Sequence, residues 1–448
     1  MKKVFYILIL FFQISVLVPQ SLLSFYGSNI LKDWKHDAGM NWEHLSIFNS
    51  EYLSQFQNDN QDYNFNSMIK SGLSSKGKLF FFGGGFLLKR KSIFAYLNIN
   101  YNLHEMSQDI YDLKLNMYGE NTHASGFGFQ NNWVLFQFRT GNENWGAGDN
   151  IELALSDQSR SYNYFNLQSD YGRLRVKYIY GFLEKRNSIN RYITARGIEW
   201  TNKKSLVIGF SETVVYSGQD RAFDISYLNP ISSHLEIELN NRLNFLGNQN
   251  SNAVWQIHID KLIKNSIRIS VNYLLDEFVF DPEIELQKEH GKAFSARIGL
   301  SKPILKESYL TFFSSIIKVG TPTFRHSFGT NNFTHQGMPL GWYIGSDSQE
   351  IKAGIRIDKK NNFMSQISYG YIVSGEESIL ERAYDPYKDY QKGNFPSGES
   401  ESIFYAKYKL KLLVFKNFFF VSDGGFYKAQ RSNIGYTINY GFDYKFSM

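Results

Sequence analysis

The chain has 448 residues, a formal net charge of +6 and no cysteine. Without cysteine it forms neither a disulfide framework nor a lipid-anchored lipoprotein, since both require that residue. Aromatic residues make up 17% of the sequence, an enrichment typical of surfaces that meet apolar and aqueous surroundings together, such as membrane interfaces.

The first residues have the pattern of an export signal. A basic start, Met1-Lys2-Lys3, precedes an apolar run over residues 4–18. That run is shorter than a comfortable membrane-spanning helix and fits a signal peptide better. We therefore predict a signal peptide over residues 1–24, cleaved between Ser21 and Gly27.

Residues 25–70 form a second region, predicted to be a small periplasmic or plug segment. Within it, apolar side chains recur at helical spacing over residues 41–57, and Asn41 is suited to cap the helix at its N-terminus. An irregular lead-in to the barrel fits this stretch nearly as well. These apolar positions are Trp42, Leu45, Phe48, Tyr52, Leu53 and Phe56.

The last segment of the chain alternates strictly, and it predicts a membrane-crossing strand. One face carries Tyr436, Ile438, Tyr440, Phe442, Tyr444, Phe446 and Met448. The other carries Gly435, Thr437, Asn439, Gly441, Asp443, Lys445 and Ser447. Side chains in a strand point alternately to opposite faces. A bilayer crossing needs about 9–11 strand residues, so this segment is long enough to cross.

The same alternation recurs along the chain, and no later apolar run reaches the length of a transmembrane helix. Alternating stretches cover residues 174–182, 266–273, 294–300 and 351–358. Short polar connections, such as residues 201–204, contrast with long ones at 276–292, 319–350 and 374–401. We therefore predict an all-β fold, a transmembrane antiparallel outer-membrane β-barrel of roughly 18 strands over residues 71–448, preceded by the partly helical N-terminal segment.

Basic residues lie on the polar face of several predicted strands. They are Arg173, Arg175, Lys177, Arg268, Arg297, Lys352 and Arg356. A charge on the lipid-facing side would cost about 2–4 kcal/mol near the bilayer midplane, so we expect these residues to face the lumen. There they either pair with carboxylates and fill the barrel, or form a basic interior that attracts an anionic polymer or solute.

Three groups of residues carry a family resemblance. Arg139 precedes Trp145-Gly146-Ala147-Gly148, Asn229-Pro230 follows, and residues 337–348 read GMPLGWYIGSDS. In this order they resemble the Wzi-type capsule-assembly family, whose patterns include W-G-P-G, N-P and G-x-P-L-G-x-x-I-G-P-D-S. The resemblance covers roughly residues 130–350. Ala147 and Ser346 stand where that family has proline, so the fixed backbone angle is lost at both positions.

The resemblance implies a non-enzymatic, lectin-like barrel that retains capsular or exopolysaccharide at the surface of a Gram-negative cell. Aromatic rings stack on sugars, and Asp, Asn and Arg bond their hydroxyl and carboxylate groups. We predict that the site includes Arg139, Asn142, Trp145, Asp149 and Asp347. Alternatively, Trp145 shapes a tight turn and Asp347 braces a loop.

The expected partners follow from this reading. They are the polysaccharide, anionic polymers included, then outer-membrane lipids and lipopolysaccharide, and during biogenesis the barrel-assembly machinery and periplasmic chaperones. No nucleic acid, cofactor or metal is expected, since neither phosphate-binding loops nor metal-ligand spacings occur.

Two other functions stay open. A porin or other outer-membrane channel for small solutes would share the barrel but keep an aqueous lumen. An outer-membrane phospholipase would need a serine beside a base, and His123-Ala124-Ser125 offers only a two-position match. Whether the lumen is open or filled separates a porin from a polysaccharide-binding barrel.

Overall fold

The structure is a computed structural model that describes residues 62–74, 77–102, 123–131, 133–234, 237, 251–264, 266–276, 290–305, 308–359, 362–387, 393–430 and 434–447. The strands are β1 (Asp62–Ser74), β2 (Gly77–Arg90), β3 (Ile93–Asn102), β4 (His123–Gln130), β5 (Val134–Gly141), β6 (Tyr162–Asp170), β7 (Leu174–Arg186), β8 (Ile189–Thr201), β9 (Leu206–Gln219), β10 (Ser251–Ile263), β11 (Ile267–Leu275), β12 (Lys292–Leu305), β13 (Ser308–Val319), β14 (Thr334–His335), β15 (Met338–Pro339), β16 (Ser348–Lys359), β17 (Phe363–Ser374), β18 (Glu401–Phe415), β19 (Phe418–Ala429) and β20 (Gly435–Ser447). Two 3-10 turns cover Ile225–Leu228 and Gly329–Asn331.

Eighteen of these strands form one closed antiparallel sheet, and β14 and β15 form a separate small hairpin. Closure is made by β20, which pairs with β19 on one side and with β1 on the other. The predicted outer-membrane barrel and its strand number are confirmed. Among the described residues, no helix is long and apolar enough to cross a membrane.

The barrel begins earlier in the chain than predicted. Strand β1 starts at Asp62, so the predicted boundary between residues 70 and 71 lies inside this strand. Its sequence alternates weakly, because Ser67 and Ser71 interrupt the apolar face. The predicted signal peptide and the predicted helix over residues 41–57 lie outside the described residues.

Alternation along β20 separates the two faces of the barrel wall. Tyr436, Ile438, Tyr440 and Phe442 are 45–51% exposed, whereas the intervening Thr437, Asn439 and Asp443 are buried. Burial of the polar residues and exposure of the apolar ones is the reverse of a water-soluble sheet. It is the pattern of a barrel whose apolar band faces lipid.

The two ends of the barrel differ in their connections. One end holds the start of β1 and the end of β20, together with turns such as residues 91–92, 202–205 and 416–417. The other end carries the long connections at 142–161, 220–250, 320–347 and 375–400. In outer-membrane barrels the short turns face the periplasm and the long loops face outside. The long-loop end is therefore called the extracellular end.

Candidate functional site

The connection after β5 does not project outward but folds into the lumen. We call residues 142–161 plug loop A. Its Ala147 amide donates a hydrogen bond to the Asn272 side chain on the inner face of β11 at 2.7 Å. Ser295 on β12 donates to the Ile151 carbonyl at 2.6 Å. Because Asn272 and Ser295 point inward, these bonds fix plug loop A against the inner wall.

A second connection, residues 320–347 or plug loop B, lies directly on plug loop A. The Trp342 amide donates to the Leu153 carbonyl at 3.1 Å, and the Ser156 amide donates to the Leu340 carbonyl at 3.0 Å. A Cβ atom at Gly341 would lie 1.7 Å from the Leu153 carbonyl oxygen, so this contact needs glycine. The two sequence motifs, far apart in the chain, therefore meet inside the barrel.

Asp347 joins plug loop B to a third connection, plug loop C, whose described residues are 375–387 and 393–400. Its carboxylate accepts hydrogen bonds from the Thr321 hydroxyl, from the Ser397 amide and hydroxyl, and from the Glu377 amide. Asp347 is fully buried and adopts a positive φ of 56°. These contacts brace the loops and leave its side chain no exposure to a ligand.

The plug loops build an apolar core inside the lumen. Core residues on plug loops A and B are Trp145, Ile151, Leu153, Leu155, Phe324, Leu340, Trp342 and Ile344. They join inward-facing side chains of strands β6 to β13 and β17 to β19 in one cluster. A barrel of 16–18 strands is wide enough for an aqueous channel. Here packed apolar side chains occupy the part of that space beside strands β6 to β13 and β17 to β19.

Glu143 is the polar centre of plug loop A, although the sequence did not single it out. Its carboxylate accepts hydrogen bonds from Lys177 Nζ at 2.5 Å, Trp145 Nε1 at 2.8 Å and Tyr164 Oη at 2.6 Å. Arg139 Nη1 lies 3.8 Å away. Burial alone would raise the pKa of Glu143, but Lys177 and Arg139 outweigh it and hold that pKa below its ordinary value.

Arg139, Asn142 and Trp145, three of the predicted site residues, are thus drawn into the base of plug loop A. Asn142 donates to the carbonyls of Asp157 and Ser159, which closes the loop on itself. Trp145 is 1% exposed, so in this conformation neither face of its ring is open to a sugar. Their contacts match the alternative in which motif residues shape and brace loops, and their contact with sugar stays a prediction.

The two departures from the family pattern have local reasons. At Ala147 a proline would lack the N–H that bonds Asn272. At Ser346 the hydroxyl accepts a hydrogen bond from the Ile379 amide at 3.0 Å, a contact that proline cannot make. Each residue therefore replaces the rigidity of proline with a hydrogen bond to a neighbouring element.

Restoring the family proline in plug loop A is expected to destabilise the barrel. Ala147→Pro removes a buried donor and leaves the Asn272 oxygen without it, a loss of about 1–3 kcal/mol. Ala147→Ser keeps the N–H and serves as the matched control. The measurement is thermal unfolding in detergent, followed by the shift in gel mobility on heating. A proline variant as stable as the serine variant would contradict this account of position 147.

Most of the predicted basic residues do face the lumen, and several are paired there. Arg175 bonds Asp170 and Glu199, and Arg268 bonds Asp260. Lys352 and Arg356 lie 3.7 Å and 3.5 Å from Glu350 and Asp358, respectively. Arg173 is the exception, because it lies exposed in the turn between β6 and β7. The prediction for Arg173 was wrong, since the strand begins one residue later.

A cavity of about 190 Å³ lies inside the lumen beside plug loop A. Its lining has four basic side chains, Arg297, Lys352, Lys407 and Lys409, and two acidic ones, Asp149 and Asp423. Aromatic residues Phe313, Tyr343 and Tyr405 complete much of the wall. Asp149 is the one predicted site residue among those that line this cavity.

The cationic groups of the cavity lie against its aromatic rings. Lys407 Nζ is 5.7 Å from the Tyr343 ring centre and 5.2 Å from that of Tyr405. Both tyrosine hydroxyls donate to Glu350. Burial raises the pKa of Tyr343 well above its ordinary value, and Glu350 adds to the effect, so its hydroxyl stays protonated. Asp423 already pairs with Lys70 at 2.8 Å. The lining therefore retains an excess of positive charge.

The sequence did not identify Lys407 and Lys409, although a usable pattern was present. They occupy alternate positions of β18, on the face opposite Phe404 and Leu412, which are exposed on the outer wall. Lysine at period two opposite an apolar face indicates a lumen position. The pattern was obscured because it runs into the apolar stretch at residues 412–415.

The phospholipase alternative stays untested. Ser125 lies on β4 opposite Thr140 of β5. The side chain of His123 and the connection at 103–122 lie outside the described residues. Among the described residues, no group of three or more histidine or acidic side chains is placed to hold a metal ion.

Comparison with known proteins identifies the fold. No protein-family model and no curated protein sequence matches the chain. The structure is similar to Escherichia coli Wzi, described as an outer-membrane protein involved in group 1 capsule assembly and a carbohydrate-binding β-barrel. The TM-score is 0.61 at 13% identity, over 88% of this chain and 86% of that chain.

Two Pseudomonas aeruginosa structures resemble the chain as well. The match to OccK3 has a TM-score of 0.50 at 8% identity, over 89% of this chain and 98% of that one. The match to the outer-membrane protein OprD has a TM-score of 0.50 at 9% identity, over 88% and 95%. At such identities the likenesses establish an outer-membrane barrel fold and leave the function to be argued from the site.

Proposed function

We propose that the protein is a non-enzymatic, lectin-like outer-membrane barrel that binds capsular or exopolysaccharide and retains it at the cell surface. The observation that carries the proposal is the filled lumen. Plug loops A, B and C are tied to one another and to the inner wall by an apolar core and by the buried Glu143 and Asp347. An aqueous channel would leave this space to water.

The packing of that core weighs against the porin alternative. Protein interiors pack at about 0.74–0.76 of the available volume, so the described apolar cluster itself holds no continuous path for water. A hydrated solute would have to displace buried side chains such as Leu153, Leu340 and Ile344, each at most 1% exposed. Passage of a solute through this cluster would require a rearrangement of the plug loops, whereas a binding protein can keep them in place.

The cavity beside plug loop A supports a ligand of particular chemistry. Its excess of lysine and arginine favours a negatively charged group, and its aromatic rings suit the apolar face of a sugar ring. At about 190 Å³, it lies below the about 300–1,000 Å³ of pockets for drug-sized ligands. We therefore assign it to one acidic sugar unit of the polymer, with Asp149 and Lys409 among the contacting residues.

The proposal is tested by cell-bound polysaccharide in the native host. Cells that lack the chain should still synthesise polymer but release it into the medium, and the wild-type chain should restore retention. The doubly substituted Arg297→Gln, Lys409→Gln chain should restore it poorly, since each lost charge-assisted bond weakens binding by about 1.5–3 kcal/mol.

Two further measurements make the result interpretable. Lys185→Gln removes a solvent-exposed lysine outside the cavity and should retain polymer as well as wild type does. Gel mobility before and after heating shows whether each variant forms a folded barrel. Cell-bound polysaccharide that is unchanged in the deletion strain would overturn the proposal.

A further inference from the structure

The first part of the connection after β9 packs on the outside of the barrel, unlike the three plug loops. Residues 221–234, here called the outer strap, pack against outward-facing side chains of β7 to β10. Tyr227 of the strap stacks on Tyr216 of β9 with ring centres 4.6 Å apart, and Phe223 lies 4.0 Å from the Tyr180 ring centre of β7. The strap thus covers part of the wall that elsewhere faces lipid.

The strand register locates the covered area. Ile198, Phe210 and Ile257 are cross-strand neighbours on the outer face, and each is 42–49% exposed. The next row towards the extracellular end holds Arg196 and Glu212, paired across β8 and β9 and both buried. The outer wall is therefore exposed in one row of side chains and covered in the next.

This covered row contains charges on the outer face of the barrel. Arg196 Nε lies 3.3 Å from Glu212 Oε2. Glu212 also accepts hydrogen bonds from Trp255 Nε1 and from the His234 amide of the strap. Bare charges on a lipid face cost about 2–4 kcal/mol near the midplane. The strap supplies polar partners and a cover for them.

The underside of the strap is polar in its other contacts too. The Tyr178 hydroxyl donates to the Tyr227 carbonyl at 2.5 Å, and the Tyr192 hydroxyl donates to the Arg221 carbonyl at 2.8 Å. The Asp224 amide donates to the Tyr180 hydroxyl at 3.0 Å. Polar backbone and side-chain groups of the strap are thus turned towards the barrel and satisfied there.

The outer side of the strap is mainly apolar, with Ser226 and Asn229 as its exposed polar residues. Phe223 is 52% exposed, Ile225 78%, Leu228 42% and Ile231 89%. A loop in water places its polar groups outside and its apolar groups against the protein. The strap has the opposite arrangement, with apolar side chains outward and hydrogen bonds inward, which is the arrangement that a hydrocarbon environment requires.

We propose that the outer strap is embedded among the acyl chains of the outer leaflet, which cover Phe223, Ile225, Leu228 and Ile231. Two observations indicate that lipid, and not another protein, covers these side chains. The apolar side of the strap continues the exposed row of Ile198, Phe210 and Ile257, which faces the bilayer. Compared with a loop in water, its apolar side chains are turned outward and its hydrogen bonds inward, as lipid requires. The strap is then a membrane-anchoring element and no part of the polysaccharide-binding surface.

The absence of cysteine from the chain allows a direct test. Ile225→Cys and Ile231→Cys chains, labelled with bimane and reconstituted in phosphatidylcholine vesicles, are compared in two quenching assays. One uses phosphatidylcholine with a nitroxide on the acyl chain, and the other uses aqueous iodide. Ile257→Cys is the lipid-facing control, and Lys185→Cys, whose lysine side chain is 55% exposed, is the water-facing control.

We expect the strap labels to lose most of their fluorescence to the nitroxide lipid, as the label at position 257 does, and to resist iodide. Quenching by iodide alone, as at position 185, would overturn the proposal by placing the strap in water. Protection from both quenchers would overturn it as well, because protein would then cover the strap. Heat-dependent gel mobility confirms that each labelled chain is a folded barrel.

Discussion

Replacing Glu143 with alanine is expected to lower the free energy of unfolding by about 3–5 kcal/mol, the range found when one partner of a buried ion pair is removed. Lys177 and Glu143 are 4% and 2% exposed, so the remaining ammonium group loses its carboxylate where water cannot replace it. Trp145 and Tyr164 lose their acceptor as well. The measurement is the temperature at which gel mobility changes in detergent.

An exposed ion pair provides the matched control. Lys185 and Asp220 lie 3.1 Å apart with side chains 55% and 68% exposed, and Asp220→Ala should cost only about 0–1 kcal/mol. Because its pKa is lowered, Glu143 contributes stability that is present above the unfolded pKa and lost as the pH falls through the folded one. Equal stability of the two alanine variants at neutral pH would refute the bracing role of Glu143.

Gly341→Ala is expected to detach plug loop B from plug loop A. The added Cβ atom would lie 1.7 Å from the Leu153 carbonyl oxygen, which belongs to the backbone and cannot rotate away. Overpacking costs about 1–3 kcal/mol, and we expect the upper end of that range. Arg325 in plug loop B is buried, so the loosened loop should become a substrate for trypsin there.

Gly393→Ala is the matched control, since a Cβ atom at that position meets no other atom within 4 Å. This variant should unfold at the wild-type temperature and resist trypsin equally well. If Gly341→Ala behaves in the same way, the contact between plug loops A and B does not hold the lumen closed.

The barrel could be predicted from the sequence because alternation is a local property. In β20 the polarity of each residue indicates which face of the strand it occupies, and Tyr436 to Asp443 alternate without exception. The start of β1 was misplaced since Ser67 and Ser71 break that alternation. The strand number followed from chain length and the spacing of the turns.

The site was predicted less well, because its contacts join residues far apart in the chain. The family motifs singled out Trp145 and Asp347, yet motif order does not tell a ligand contact from a loop brace. The apolar Ile151, Leu153 and Leu155 alternate within an otherwise polar connection. That alternation was a signal that plug loop A is buried.

The outer strap shows where the expectation that charged strand residues face the lumen fails. Charge was expected on the inner face alone, yet Arg196 and Glu212 point outward. They are tolerated because the strap covers them and His234 contributes a hydrogen bond. From sequence, such a pair reads as a break in the strand pattern, since no sequence pattern marks the following connection as the segment that covers it.

The proposed function requires a barrel that is closed by its own loops, and conductance tests this closure most directly. Purified wild-type protein is inserted into a planar lipid bilayer, with an open porin of similar strand number as the reference. We predict no steady ohmic conductance at low voltage, since the apolar core blocks the lumen. A stable open channel comparable to the porin would contradict the account and favour a role in solute passage.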